Sequence, residues 1–278
     1  MIKAITRLAV ALLTLMPLTA TAEPIQLKLS FFGSEQTQTY LSGVKPFLDA
    51  VNAEGKGLVT IKVYANGALG KAQAQQPQLV LDGVADIAFI VTGVTPNRFP
   101  DNALLEQPGL FRDTREGTLV YSGLIAAKAL RGYQDFFVIG AYTTDPNIIN
   151  SRKLIGSLSA LKGLRLSANN SIGAEALEQM GATPTVGEAQ RLMDAVGQDA
   201  LDGAVLSPTA LFQFGVDRVA INHYLLGVGT APLALVMNRK AFDGLPEAAK
   251  ALIRKYSGEW SAAGSTSSIS ASVGVGVW

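Results

Sequence analysis

From Ile25 to Phe31 the chain alternates, with Ile25, Leu27, Leu29 and Phe31 on one face and Gln26, Lys28 and Ser30 on the other. That period of two predicts a first strand with one face more buried than the other. Past Gln36 the period becomes helical, and Tyr40, Val44, Phe47, Leu48 and Val51 form one stripe. Pro46 falls inside the stripe and predicts either a bend or a fresh helix start. Leu58–Tyr64 (LVTIKVY) is the second strand, and Asn66-Gly67 opens a turn. The segment KAQAQQPQLVLDG after Gly70 reads as a helix interrupted by Pro77 and ended by Gly83, with Ala85–Val91 a short buried strand behind it. Two strand–helix pairs in succession predict a parallel-type sheet with helices on its faces.

Thr92–Arg112 carries Pro96, Pro100 and Pro108 among isolated apolar residues, so it reads as a long ordered loop with one helical turn. Thr114–Leu130 is a helix with Thr114 as its cap and Val120, Leu124, Ala127 and Leu130 on its inner face. Phe136–Ala141 is a strand, and the turn-forming TTDPNIINSRKLIGSL crosses into a second lobe. There the pattern gives a strand at Leu164–Leu166, a helix capped at Asn170/Ser171 and stopped by Gly181, a helix at Glu188–Val196, and strands at Ala200–Leu206 and Val216–Ile221. The second helix carries Ala189, Leu192, Met193 and Val196 on one side. Together Leu161–Gly203 has the make-up of one half of a ligand cleft. Thr230–Met237 is apolar enough to be a buried strand returning to the first lobe, and Pro246 opens a final helix with Ala249, Leu252, Ile253 and Tyr256 as its stripe. This order predicts an α/β fold of two lobes, 23–144 with 230–262 and then 145–229. The closing GSTSSISASVGVGVW lacks charge and helical period and reads as a disordered tail over 263–278, with an isolated strand as the competing reading.

Composition narrows the function. Lys3 and Arg7, the apolar Leu8–Pro17 and the small-residue site Ala20-Thr21-Ala22 make a cleaved signal peptide over 1–22, so the mature chain is periplasmic. Removing those two cations from the 23 basic residues leaves 21 against 22 acidic ones. That balance offers no long-range field for nucleic acid or an anionic membrane. Cys is absent and His223 is the single histidine, which excludes a His-rich metal centre and any His/Cys cluster. No Gly-x-Ser-x-Gly elbow accompanies that histidine, so nothing marks a nucleophilic enzyme, and no cofactor is called for.

Six segments in order carry a resemblance: GALGKAQAQQPQLVLDGVADIAF, FPDNALLEQPGLF (Phe99–Phe111), SRKLIGSLSALKGLRL, GATPTV (Gly181–Val186), the LDG of Leu201–Gly203, and LALVMNRKAFDGLPEAAKALI (Leu233–Ile253). With them the chain resembles the DctP-like solute-binding subunits of TRAP transporters over about residues 25–260. The resemblance implies two α/β lobes joined by crossing strands, a small organic acid between them, and delivery to membrane permease subunits driven by an ion gradient. It also implies that the solute is not transformed. The family's G-L-K-I-R pattern ends in an Arg that pairs with the ligand carboxylate. Here Gly163, Leu164, Arg165 and Leu166 match, and Ser167 stands at the Arg position. Arg165 shares a strand face with Ser167, so it either takes over the ligand or is solvated at the lobe edge. Otherwise Arg152 or Arg98 receives the carboxylate, or the ligand is not a simple carboxylate. Asp199 replaces a usual Gly and suits a turn. Members of the family usually continue past the helix at Pro246, so a truncation or altered reading frame is a further expectation.

Ligands in open α/β sheets sit beyond the strand ends and in the crossing loops. This places Phe32 and Ser34 after the first strand, Thr92 after the third, and Tyr142 and Asn147 at the crossing. Asn169 and Ser207 follow second-lobe strands, and Arg152, Arg165 and Ser167 complete the candidate set. Asn170 reads as a cap and Asn150 as a turn residue. Thr209 stands near a family contact, His223 near the hinge, and Leu206 fills a position that is polar in relatives. A hydrolase-like periplasmic enzyme and a ligand-sensing domain using the same cleft remain the alternatives, whereas the motif order argues against an ABC-type binding protein.

Overall fold

The computed structural model describes residues 23–187 and 189–262, so the expectations for the signal peptide and for the tail lie outside the described residues. Strand β1 (Ile25–Ser30) leads to helices α1 (Gln38–Gly43) and α2 (Lys45–Glu54). Pro46 sits in the first turn of α2, where its missing N–H has no partner to lose, so the stripe is two helices broken at Val44. Then come β2 (Val59–Tyr64), a 3-10 turn, α3 (Gln76–Leu81) with Pro77 in its first turn, and β3 (Ile87–Val91). β1 is parallel to both β2 and β3. The proline-rich loop contains 3-10 turns at Thr92–Val94 and Pro100–Glu106 before α4 (Thr114–Ala126) and β4 (Phe136–Thr143).

Two details of α4 differ from the sequence pattern. Asp113, not Thr114, caps it by accepting from the Glu116 N–H at 2.9 Å. The inner face is Thr114, Gly117, Thr118 and Tyr121, with the expected Leu124 partly buried beside them and Leu130 buried beyond the helix end, while Leu119 and Val120 face outward. The reason is the edge strand it covers. The Thr118 hydroxyl accepts from the Thr143 N–H at 3.1 Å and Ser122 donates to the Ala141 carbonyl at 2.7 Å. The helix therefore satisfies backbone groups that the last strand of the sheet leaves unpaired, and hydroxyls do this where aliphatic side chains cannot.

The second lobe opens with β5 (Ile148–Ser151) and β6 (Arg165–Ala168). It continues through α5 (Ser171–Gln179), the edge strand β7 (Thr183–Val186), α6 (Leu192–Gly197), β8 (Gly203–Leu206), α7 (Pro208–Gln213) and β9 (Asn222–Tyr224). Its sheet runs β7-β6-β8-β5-β9, with β6 parallel to β7 and β8, and β5 antiparallel to β8 and β9. The strand expected over Val216–Ile221 is instead a 3-10 turn at Val216–Arg218. Val216 and Ala220 bury themselves beneath α6 and α7, and pairing with β5 starts only at Asn222. Of the expected α6 face, Leu192 and Val196 are buried while Met193 is exposed.

β10 (Pro232–Asn238) then returns to the first sheet, antiparallel to β3 and β4 and between them, giving the mixed order β2-β1-β3-β10-β4. Its unbroken apolar run follows from cover on both faces. Leu233, Leu235 and Met237 join the core under α2 and the C-terminal helices, with Leu29, Phe47 and Ile253. Ala234 and Val236 join the opposite core with Phe99, Tyr121 and Phe136. Helices α8 (Arg239–Asp243) and α9 (Glu247–Lys255) close the described chain, α9 burying Ala249, Leu252 and Ile253. The two segments that cross between the lobes run side by side. The Thr144 N–H donates to the Ala231 carbonyl at 3.0 Å, and Asn147 exchanges backbone bonds of 2.8 Å with Gly229 and Val228.

Candidate functional site

The ends of β1, β3 and β10 face the ends of β6 and β8 across a cavity of about 680 Å³, a volume that includes solvent at its mouth. The first lobe contributes Phe32, Phe89, Val91, Gly93 and Glu106, and the second Asn169, Asn170, Leu206, Gln213 and Phe214. A side-chain bond spans the gap, with Thr39 donating its hydroxyl to Gln213 Oε1 at 2.5 Å, and Asn170 of the second lobe lines the cavity together with Glu106 of the first. The lobes are thus in contact around the cavity. Asn170 also caps α5, its Oδ1 accepting from the Gly173 N–H at 2.7 Å, which fixes the amide at the rim.

Of the residues expected from sequence, Phe32 and Asn169 line this cavity, together with the cap residue Asn170. The others stand elsewhere. Thr92 is buried behind the wall, donating to the Pro232 carbonyl at 3.1 Å and accepting from Asn102 at 2.6 Å. Tyr142 packs on Phe89 and gives its hydroxyl to the Gly43 carbonyl at 3.2 Å, with Thr209 beside a smaller adjoining recess. Asn147 serves the crossing strands through its backbone. Ser34 accepts from the Gln36 N–H, and Ser207 caps α7 by accepting from the Ala210 N–H. Ser167 is buried in the β6 wall beneath Gly187. His223 lies on the exposed β9 edge, its Nδ1 bonded to Asn150 Oδ1 at 2.8 Å.

The candidate cations are at the wrong end of the sheet. Strand register pairs Ile148 with the cavity-lining Leu206 and Ser151 with Gly203, so Arg152 extends past the far end of β8. Arg165 opens β6 at that same end. Its backbone N–H and Nε both reach Asp202 Oδ2, at 2.9 and 3.1 Å, and its guanidinium meets Asp199 at 3.1 Å. Arg152 pairs with Asp199 as well. Asp199 holds φ at 62°, a left-handed turn conformation that Asp tolerates. The Arg165 hydrogen bond, aided by the nearby positive charge, holds the Asp202 carboxyl well below the usual carboxylate range. Arg98 sits 3.8 Å from Asp135 beside a separate surface recess. The LDG motif is consequently architectural. Asp202 clamps β6, and a Cβ on Gly203 would overlap the Asn150 carbonyl of β5.

Glu106 is the group that the sequence pattern passes over. It is 5% exposed, and it is the one ionisable side chain among the described lining residues. Burial pushes its carboxyl up to about 7, against the weaker opposing pull of the nearby Asn170 amide. Oε1 has no hydrogen-bond partner. A signal did exist: of the two carboxylates in FPDNALLEQPGLF, Glu106 directly follows the apolar Ala103-Leu104-Leu105, and such a group is either a solvated loop residue or a buried functional one.

The segments that carry the resemblance build both lobes, and a family model described as bacterial extracellular solute-binding protein, family 7 (DctP), matches residues 32–269. The chain belongs to the DctP family. The 2,3-diketo-L-gulonate-binding periplasmic protein YiaO of Escherichia coli is 28% identical over 233 residues, which is 80% of this chain and 70% of YiaO. A solute-binding protein of Verminephrobacter eiseniae is 25% identical over 209 residues, 74% of this chain, and the match spans only 62% of that relative's length. Among solved structures, a marine metagenome TRAP solute-binding protein specific for aromatic acid ligands, in complex with 3-hydroxybenzoate, superposes with a TM-score of 0.79 at 25% identity. That match covers 89% of this chain and 78% of the other. A TRAP solute-binding protein from Rhodoferax ferrireducens, holding copurified benzoate, shares the fold with a TM-score of 0.78 at 24% identity over 89% of this chain and 80% of its own. That family's description is of extracellular solute-binding proteins. Among the described residues no helix is long and apolar enough to cross a membrane, and no three His, Cys, Asp or Glu side chains gather as metal ligands would.

Proposed function

We propose that this chain captures a small organic acid or related metabolite between its lobes and delivers it to the membrane permease subunits of a TRAP-type transporter. The interlobe cavity carries this reading: it is walled by both sheets, and the direct bond from Thr39 to Gln213 joins the lobes beside it. The lobes are bodies of 23–144 with 230–262 and of 145–229, moving about the paired crossing segments at Thr144–Asn147 and Val228–Ala231. Closure on a solute desolvates its polar groups, which strengthens each hydrogen bond made inside.

The ligand shell proposed here keeps Phe32 and Asn169 and adds Phe89, Glu106, Gln213 and Phe214. Arg165 and Arg152 are assigned to the frame of the second lobe. The relative that holds 3-hydroxybenzoate supports an aromatic or similarly sized acid as the first class to try. The test is a thermal-shift screen of the purified mature chain against mono- and dicarboxylates, keto acids, sugar acids and aromatic acids. At a hundred times Kd a bound solute stabilises by about 2.7 kcal/mol. The expected outcome is concentration-dependent stabilisation by at least one solute, recovered unchanged. Conversion of that solute, or a folded protein indifferent to the whole panel, overturns the reading.

A further inference from the structure

The polar chemistry of the cavity is lopsided. Its described lining includes no lysine and no arginine, and its one ionisable group is an acid, Glu106. Its Oε1 is buried without a donor. Such an acceptor bears the full loss of its hydration with nothing in return. The wall is nevertheless shaped to hold it, because any side chain at Gly93 would overlap Oε1. Two adjoining wall positions are therefore given over to seating one bare carboxyl. Much of the remaining wall is apolar, with the rings of Phe32, Phe89 and Phe214 and the side chains of Val91, Leu206 and Leu233.

We propose that Glu106 is the specificity-determining acceptor of this cleft, and that the solute presents a hydroxyl or amino donor to it on an apolar, ring-sized body. This rests on the solute-binding reading above. The terminal torsion of a glutamate is soft, so the carboxyl can turn to present an oxygen to the solute. A carboxylate elsewhere on the solute is kept off Glu106, because two carboxylates side by side without a cation repel, and the lining offers it side-chain amide N–H groups from Gln73, Asn169 and Gln213.

The test is calorimetric titration of the full mature chain with matched pairs that differ only in the donor. The probes are 3-hydroxybenzoate and 3-aminobenzoate against 3-methoxybenzoate, mandelate against O-methylmandelate, and 3-hydroxybenzyl alcohol against its methyl ether. At pH 8, where Glu106 is ionised, the donor member of at least one pair is expected to bind roughly tenfold tighter or more, the scale of one well-made hydrogen bond to a charged acceptor. In Glu106→Gln and Glu106→Leu, whose folding is checked by circular dichroism, that preference falls to within about threefold. Equal binding of both members by the wild type, or an unchanged preference in the folded variants, overturns the role of Glu106 and leaves the solute-binding reading intact. Absence of binding by every probe to the folded wild type overturns both.

Discussion

Replacing Glu106 by glutamine should stabilise the ligand-free protein at pH 8 and change it little at pH 5. Burial raises this carboxyl from 4.5 to about 7 in the folded chain. Between those values the unfolded state has released its proton and the folded state has not. Stability therefore falls as pH rises from about 4.5 to about 7 and levels off above it. A difference of about 2.5 pH units at 1.36 kcal/mol each gives an upper figure of about 3 kcal/mol. Glutamine mimics the protonated acid in shape and never ionises, so the variant escapes that loss. Its added N–H, facing the place where Oε1 finds no partner, returns about 1 kcal/mol of the gain. The net expectation is about 2 kcal/mol at pH 8 and near zero at pH 5. For a domain of this size that corresponds to a rise of roughly 4–8 °C in midpoint. Scanning calorimetry of both proteins at the two pH values measures it. The acids that Arg165 and Arg131 hold low, Asp202 and Asp101, titrate identically in both chains and cancel in the comparison. A stability difference independent of pH, or a variant weaker at pH 8 than at pH 5, refutes a buried, late-titrating Glu106.

Arg165→Ala should leave solute affinity within about twofold while costing about 1–3 kcal/mol in urea denaturation, because the buried Asp202 carboxylate loses its main partner. A large loss of affinity at unchanged stability would return Arg165 to the ligand. The stability that this pair contributes is present above about pH 4 and is lost on further acidification, since the folded Asp202 pKa lies below the unfolded value. Thr39→Val removes the 2.5 Å interlobe bond to Gln213. It should weaken the closed, ligand-free arrangement by about 1 kcal/mol, roughly a fivefold shift toward open, read as a larger radius of gyration in small-angle scattering. No change in that radius would mean the bond does not govern closure.

Local chemistry was legible wherever a feature depends on neighbours in the chain. The alternation of Ile25–Phe31 and the glycine stop at Gly83 became β1 and the end of α3 because side-chain periodicity and left-handed turns are decided within a few residues. The Asn170 cap followed for the same reason, its bond partner being three residues away. The order of motifs identified the family and with it the two-lobed fold. What escaped depends on partners remote in sequence. The α4 face turned on hydroxyls matched to the free edge of β4, 19 to 25 residues away. Arg165 left the candidate ligand set because Asp202, 37 residues on, shares its end of the sheet.

Glu106 marks the boundary between the two kinds of information. By itself the sequence supplied Glu106 after a short apolar run, and Ser167 at the place where the resemblance implies an arginine. Only the tertiary structure brought the second lobe, with Asn170, across from that carboxylate and left no cation among the described lining residues. The ionisation of a side chain is governed by what surrounds it in space. A chain written in one dimension names the group, and its dielectric and hydrogen-bond partners exist only once the lobes meet.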